Sequence, residues 1–247
     1  MSRATRRGLK TSELVAREIV RKISDQKLEP GHVLEPEAVM LQELGVGRAS
    51  LREALRLLEV QGLVSIRQGP RGGPEVGTVD PARLGQTLSL FLRMAGATYN
   101  DLNEFMMVVY PKLAELAAER AATQEAADAL LPCIADHDCS FSDPAERRKA
   151  ERHANTFHPA VNRLSGNPVL ALFASAVGSI ITEHILANID TSEMVEHASD
   201  EHRAIARAII DGDGPAARRE MANHMQSMLD LYRRHVPGML DQPVEWR

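Results

Sequence analysis

A single hairpin set among helical patterns constrains this chain most. Leu63-Val64-Ser65-Ile66-Arg67 alternates and is β-branched, Gln68-Gly69-Pro70-Arg71-Gly72-Gly73-Pro74 turns the chain, and Val76 to Val79 is expected to return as a second strand. Nothing beyond Asp80 alternates with period two for long, so a mostly α protein with one small β-hairpin is expected. The 247 residues exceed one small module, and charge divides them. Residues 1–80 carry 13 Lys/Arg against 11 Asp/Glu, a balance of +2, whereas the remainder carries 16 against 23, a balance of -7. Phosphate contact belongs to the first part, because the acidic second part is repelled by a polyanion.

Several classes are disfavoured by composition. Aromatic residues make up only 4% of the chain, too few for a stacking platform on single-stranded nucleic acid. Cys133 and Cys139 fit neither a CxxC pair nor a zinc-ribbon spacing and read as free thiols of a reducing cytoplasm. The basic arm Met1 to Lys10 has no apolar run behind it, so it does not read as a secretory signal. Leu164 to Thr182 is uncharged but holds Ser165, Gly166, Asn167, Pro168, Ser175, Gly178 and Ser179, which suits a loop feeding a buried helix and not a membrane span.

Ahead of the hairpin, Leu14, Ile19 and Ile23 mark a first helix with Thr11 or Ser12 available as N-cap. A second helix starts at Pro36 and stops at Gly45, and a third runs from Arg48 to Gln61 with Leu51, Leu55 and Leu58 as its apolar stripe. Two helices joined by so short a turn, the second one basic, form a helix-turn-helix pattern, and the hairpin behind it makes a winged helix. Arg48, Arg52 and Arg56 recur every four residues, so they present guanidinium groups to one groove, or else form a solvated face paired with Glu53 and Glu59. Arg67, Gln68 and Arg71 could supply wing contacts around Gly69.

The string Leu28-x-Pro-Gly-x-x-Leu34, Leu44-Gly45-Val46-x-Arg48-x-x-Leu51-Arg52-Glu53-Ala54-Leu55, Leu58-x-x-x-Gly62-Leu63-Val64 and the Gly69 tip resembles the DNA-binding domain of the GntR superfamily of bacterial transcription regulators. The resemblance implies operator contacts from Arg48 and Arg52, with Ser50 on the same turn, and entry of Gly69 into the minor groove between Gln68 and Arg71. The chain departs from that pattern at Ala38, where Arg is frequent, and at Gly47 and Ala49, where Ser or Thr is frequent.

Beyond Asp80-Pro81, helical periods cover Leu84 to Met94, Asn100 to Ala122, Gln124 to Ala135, Ala145 to Leu164, Pro168 to Ala187, Glu193 to Asp211 and Pro215 to Arg234. Domains are therefore expected at 1–10 (basic arm), 11–79 (winged helix-turn-helix), 80–84 (linker), 85–235 (helical, effector-binding and dimerising) and 236–247 (tail). The strings around His158, His202 and His224 resemble the FCD domain, an antiparallel helical bundle that senses effectors in one GntR branch. That resemblance implies a divalent metal on the three histidines, and imidazoles from facing helices suit Zn or Ni. The branch's Asp ligand is Ala154 here, leaving three His with water, or Asn155 or Glu151 in an altered register. In the other reading the histidines only line a polar pocket.

The branch's pocket Arg and Glu are replaced by Met106 and Tyr110. These two, with Asn155, are expected to line a site for a small effector less anionic or more apolar than a sugar acid. The whole reads as a cytoplasmic, nucleoid-associated homodimer on palindromic double-stranded operator DNA, with no membrane and no enzymatic activity. The alternatives are a three-histidine metal hydrolase with Glu201 or Glu183 as base, and a ligand-independent architectural DNA-binding protein.

Overall fold

The computed structural model of the chain describes residues 10–67, 69, 72–134, 156–189 and 191–247, of the backbone alone at 188 and 191–197. Gln68, Arg71, Cys139, Glu151, Ala154 and Asn155 lie outside the described residues. The chain forms two compact units, Met1–Arg83 and Leu84–Arg247.

In the first unit, α1 (Thr11–Asp25) buries Ser12, Val15, Ala16 and Ile19, one face at helical spacing. Neither Thr11 nor Ser12 caps it: Lys10 holds the N-cap position without a side-chain bond, and Ser12 is drawn into the core. Helix α2 (Glu37–Leu44) has Pro36 as its N-cap and not its first residue, and it ends where Gly45 takes a left-handed φ of 62°. Helix α3 (Arg48–Val60) buries Leu51, Ala54, Leu55 and Leu58 against α1, leaving its arginines outside.

Strands β1 (Val64–Arg67) and β2 (Gly73–Val76) pair antiparallel, with Val64 opposite Val76 and Arg67 opposite Gly73. The return strand thus starts three residues earlier than Val76 to Val79. The reason is burial combined with a third partner. Val64 and Val76 must face each other in the core, and the backbone of 31–34 bonds the far edge of β2 through Val76 N–H to His32 O and Leu34 N–H to Pro74 O.

The second unit is all helical among its described residues. Helix α4 (Pro81–Met94) begins inside the stretch read as a linker, with Asp80 Oδ1 accepting from Ala82 N–H. Helix α5 (Tyr99–Arg120) starts from a capping box in which Thr98 accepts from Asp101 N–H and Asp101 accepts from Thr98 N–H. It packs on α8 (Pro168–His184), α9 (Thr191–Ile210) and α10 (Gly214–His235). Helix α6 (Thr123–Leu130) stops five residues before the expected Ala135, because Pro132 tightens the chain into a 3-10 turn over Leu131–Cys133. Residues 156–164 are helical and are called α7. The core gathers Leu113, Ala117, Phe157, Val161, Ile181, Ile205, Ile209 and Met221, each at most 2% exposed.

The tail docks on this bundle. Residues 97–100 bond it in strand fashion, with Asn100 N–H to Leu240 O, Tyr99 N–H to Gln242 O and Val244 N–H to Ala97 O, and Leu240 and Val244 enter the core. Val244→Ala is expected to cost about 1–3 kcal/mol of stability. Fluorescence of Trp246, the only tryptophan, should report the tail's release at lower denaturant than in the parent.

Candidate functional site

Two groups of chemically distinctive residues stand apart from the packing, one in each unit. In the first, Arg48 opens α3 and is exposed, as are Arg52 and Arg56 one and two turns on, while Ser50 is half-buried. Arg52 is held side-on by Glu37 of α2, Nε to Oε1 at 3.3 Å and Nη2 to Oε2 at 3.5 Å, so its ion-pair partner is neither Glu53 nor Glu59. A pair this exposed contributes roughly 0–1 kcal/mol, so a phosphate or guanine can displace or share it cheaply. Gly47 gives α3 no side-chain cap, leaving the helix's first N–H groups open for an anion. Gly69 is exposed at the wing tip with φ 114°, and Arg67 is exposed at the end of β1.

In the second unit three helices bring His158 (α7), His202 (α9) and His224 (α10) together, one ligand atom of each lying within 4.8 Å of the others. The Nε2 atoms converge: His224 to His202 at 3.3 Å and His224 to His158 at 3.2 Å. The rings are fixed by packing, His202 stacking on Phe157 at 4.0 Å and Tyr110 meeting His158 edge-on at 5.3 Å. Glu201 Oε2 lies 2.7 Å from His224 Nδ1, so the His224 proton belongs on Nδ1 and its Nε2 lone pair faces the cluster. Burial, reinforced by the neighbouring His224, pushes His158 down to about 3 and His202 well below the usual imidazole range, so both rings are neutral.

These residues fit a metal. Two nitrogens each about 2.0–2.1 Å from a tetrahedral zinc stand roughly 3.3 Å apart, the spacing of His224 Nε2 from each of the other two rings, and one ligand atom of each histidine lies within 4.8 Å of the others. Neutral imidazoles with inward Nε2 lone pairs, one braced by a carboxylate, are the donor set zinc or nickel uses.

Tyr110 reaches this region through its contact with His158, and both it and Met106 belong to the helical core. Met106 is 9% and Tyr110 3% exposed, and the Tyr110 hydroxyl donates to Ala174 O at 3.1 Å. Burial raises its pKa to about 12. Gly178 makes room for it, since a Cβ there would sit 2.7 Å from the hydroxyl. Two residues escaped the sequence reading in these roles. Glu201, by sequence a candidate base, braces His224 through the ring nitrogen that faces away from the cluster. Asn162, one turn after His158, is 2% exposed and gives Nδ2 to Ser175 Oγ at 3.0 Å. Its spacing from His158 was the only available signal.

A winged helix with an exposed arginine row, followed by a helical unit with a buried histidine cluster, defines a DNA-binding regulator with a sensor domain. Residues 11–72 match the bacterial regulatory proteins of the gntR family, and residues 101–227, half the chain, match the FCD domain. The chain belongs to the FCD branch of the GntR family, and it is a transcriptional regulator whose DNA binding answers to an effector in the helical unit. It is 27% identical to the transcriptional repressor NanR of Enterobacter sp. (strain 638) over 226 residues, 89% of this chain and 84% of that one. Identity to the regulator LutR of Bacillus subtilis (strain 168) is 25%, covering 90% of this chain and all of LutR, and to Mce2R of Mycobacterium tuberculosis 29%, covering 92% and 91%. A solved structure of Streptococcus agalactiae GntR shares the fold, with a TM-score of 0.64 at 23% identity over 88% of this chain and 98% of that one.

Two outcomes follow from the geometry. On a DNA fragment selected by the parent protein from a random pool, Arg48→Ala and Arg52→Ala should each weaken binding by about 1–3 kcal/mol in fluorescence anisotropy. Second, an imidazole whose folded pKa is depressed takes its proton only in the unfolded chain. The metal-free protein should therefore keep full stability above the ordinary value of 6.5 and lose it as pH falls toward 3, with His202→Phe flattening the slope of melting temperature against pH.

Proposed function

We propose that the protein is a homodimeric regulator of a palindromic operator, read by Arg48, Ser50 and Arg52 and by a wing whose tip, Gly69, lies between Gln68 and Arg71. Its helical unit holds Zn or Ni on His158, His202 and His224 and senses a small effector beside it. The convergence of three Nε2 atoms, with His224 fixed by Glu201, carries this reading. When bound, such a metal supplies an open coordination position for an oxygen of the effector, a carboxylate among the candidates. The chain's own residues do the rest: Phe157 and Tyr110 hold two of the rings, Glu201 keeps the third in one tautomer, and burial keeps protons from competing for the nitrogens.

A sensor is favoured over a hydrolase because Glu201 is bonded to His224 Nδ1, not poised at the cluster as a base. Dimerisation through the helical unit is supported by large apolar side chains left exposed on it, among them Phe91 at 67%, Met94 at 81%, Val108 at 72% and Val169 at 63%. The site of action is the cytoplasm, on the nucleoid. Among the described residues no helix is long and apolar enough to cross a membrane.

Elemental analysis of the purified protein should find about one Zn or Ni per chain, lost in His202→Ala. Chelation should change operator affinity by about 5- to 150-fold, the ordinary range of coupling between two sites. Equal metal content in the variant, or an affinity indifferent to chelation, contradicts the proposal.

A further inference from the structure

Of the three arginines spaced along α3, Arg52 alone has a carboxylate partner among the described residues. Glu37, the first residue of α2, meets it side-on: Oε1 accepts from Nε at 3.3 Å and Oε2 from Nη2 at 3.5 Å. A guanidinium carries five N–H groups in a rigid planar fork, and this arrangement uses only the edge formed by Nε and Nη2. The other edge, Nη1 with the second hydrogen of Nη2, stays free. That edge can donate two parallel bonds to guanine O6 and N7. Both side chains stand in solvent, 69% exposed for Arg52 and 37% for Glu37, so the pair adds little to stability.

The carboxylate also changes which acceptor Arg52 favours. A phosphate carries a full negative charge, and binding Arg52 brings it against Glu37. Guanine O6 and N7 are neutral acceptors that meet the same free edge without that repulsion. Arg48 and Arg56, exposed and without such a partner among the described residues, can take either acceptor. An acidic group on a surface that meets a polyanion lowers affinity for every sequence, so its benefit lies in discrimination.

We infer that Glu37 is a specificity-determining residue: by holding the Nε edge of Arg52 it commits this arginine to a guanine in the major groove and turns it away from the DNA backbone. This rests on the operator-reading role proposed above for Arg52 and makes it more specific by assigning the base. Glu37 acts through Arg52 and is a positioning residue. Its removal frees Arg52 to clamp a phosphate, so sequence preference falls while affinity for DNA of any sequence rises.

The test selects DNA from a random pool with the full-length parent, Glu37→Gln, Glu37→Ala and Arg52→Ala, and measures binding by fluorescence anisotropy over a range of salt. The position that Arg52→Ala ceases to select should be a G·C pair, and its replacement by A·T should weaken the parent about 5- to 150-fold. In both Glu37 variants that ratio should fall to within about twofold. Their affinity for random DNA should rise, with the slope of log affinity against log salt steeper by about 0.9, the signature of one added phosphate contact. Preference kept at that position in a folded Glu37 variant overturns the inference. So does an equal loss on selected and random DNA, which makes Glu37 a support of α2 alone. If Arg52→Ala alters no position of the selected sequence, the base-reading role of Arg52 itself fails, a result distinct from a motif that depends on Arg52 and is indifferent to Glu37.

Discussion

Three imidazoles packed into a helical core set the terms for the second unit. With His224 Nε2 3.2–3.3 Å from the Nε2 atoms of His158 and His202, and those two rings neutralised by burial, the cluster cannot hold several positive charges, and it must satisfy its nitrogens by sharing. Sharing requires fixed rings, and fixed rings require α7, α9 and α10 to keep one arrangement. A ligand that completes the site therefore bonds to three helices at once and can alter their relative stability.

The first unit depends on simpler forces. Its core is one apolar stripe from each of α1 and α3, closed by Val64, Val76 and Leu34, with no buried charge among the described residues. That leaves α3 free to carry Arg48, Arg52 and Arg56 on its outer face, where the Glu37 pair orients Arg52 without binding it tightly. Affinity and sequence preference can change through these surface positions while the fold stays intact, which is how Ala38, Gly47 and Ala49 are accommodated.

Much of this architecture was legible in the sequence because it is local. Leu51, Leu55 and Leu58 declare α3 by period, Gly45 ends α2, and Pro168 and Pro215 mark the first turns of α8 and α10. What was missed depends on partners distant in the chain. The register of the hairpin follows from residues 31–34 bonding β2, the docking of the tail from the backbone of 97–100, and the orienting role of Glu201 from a ring 23 positions away. The three histidines are legible in the sequence only through resemblance. Their mutual distance emerges only when helices far apart in sequence are packed together.

In the proposed reading, a metal joins His158, His202 and His224 through their inward nitrogens. X-ray absorption at the zinc edge of the loaded full-length protein tests it most directly. Three imidazole nitrogens at about 2.0–2.1 Å with a remaining oxygen are predicted. A sulfur scatterer near 2.3 Å, or an all-oxygen shell without imidazole scattering, would place the zinc elsewhere and contradict the claim.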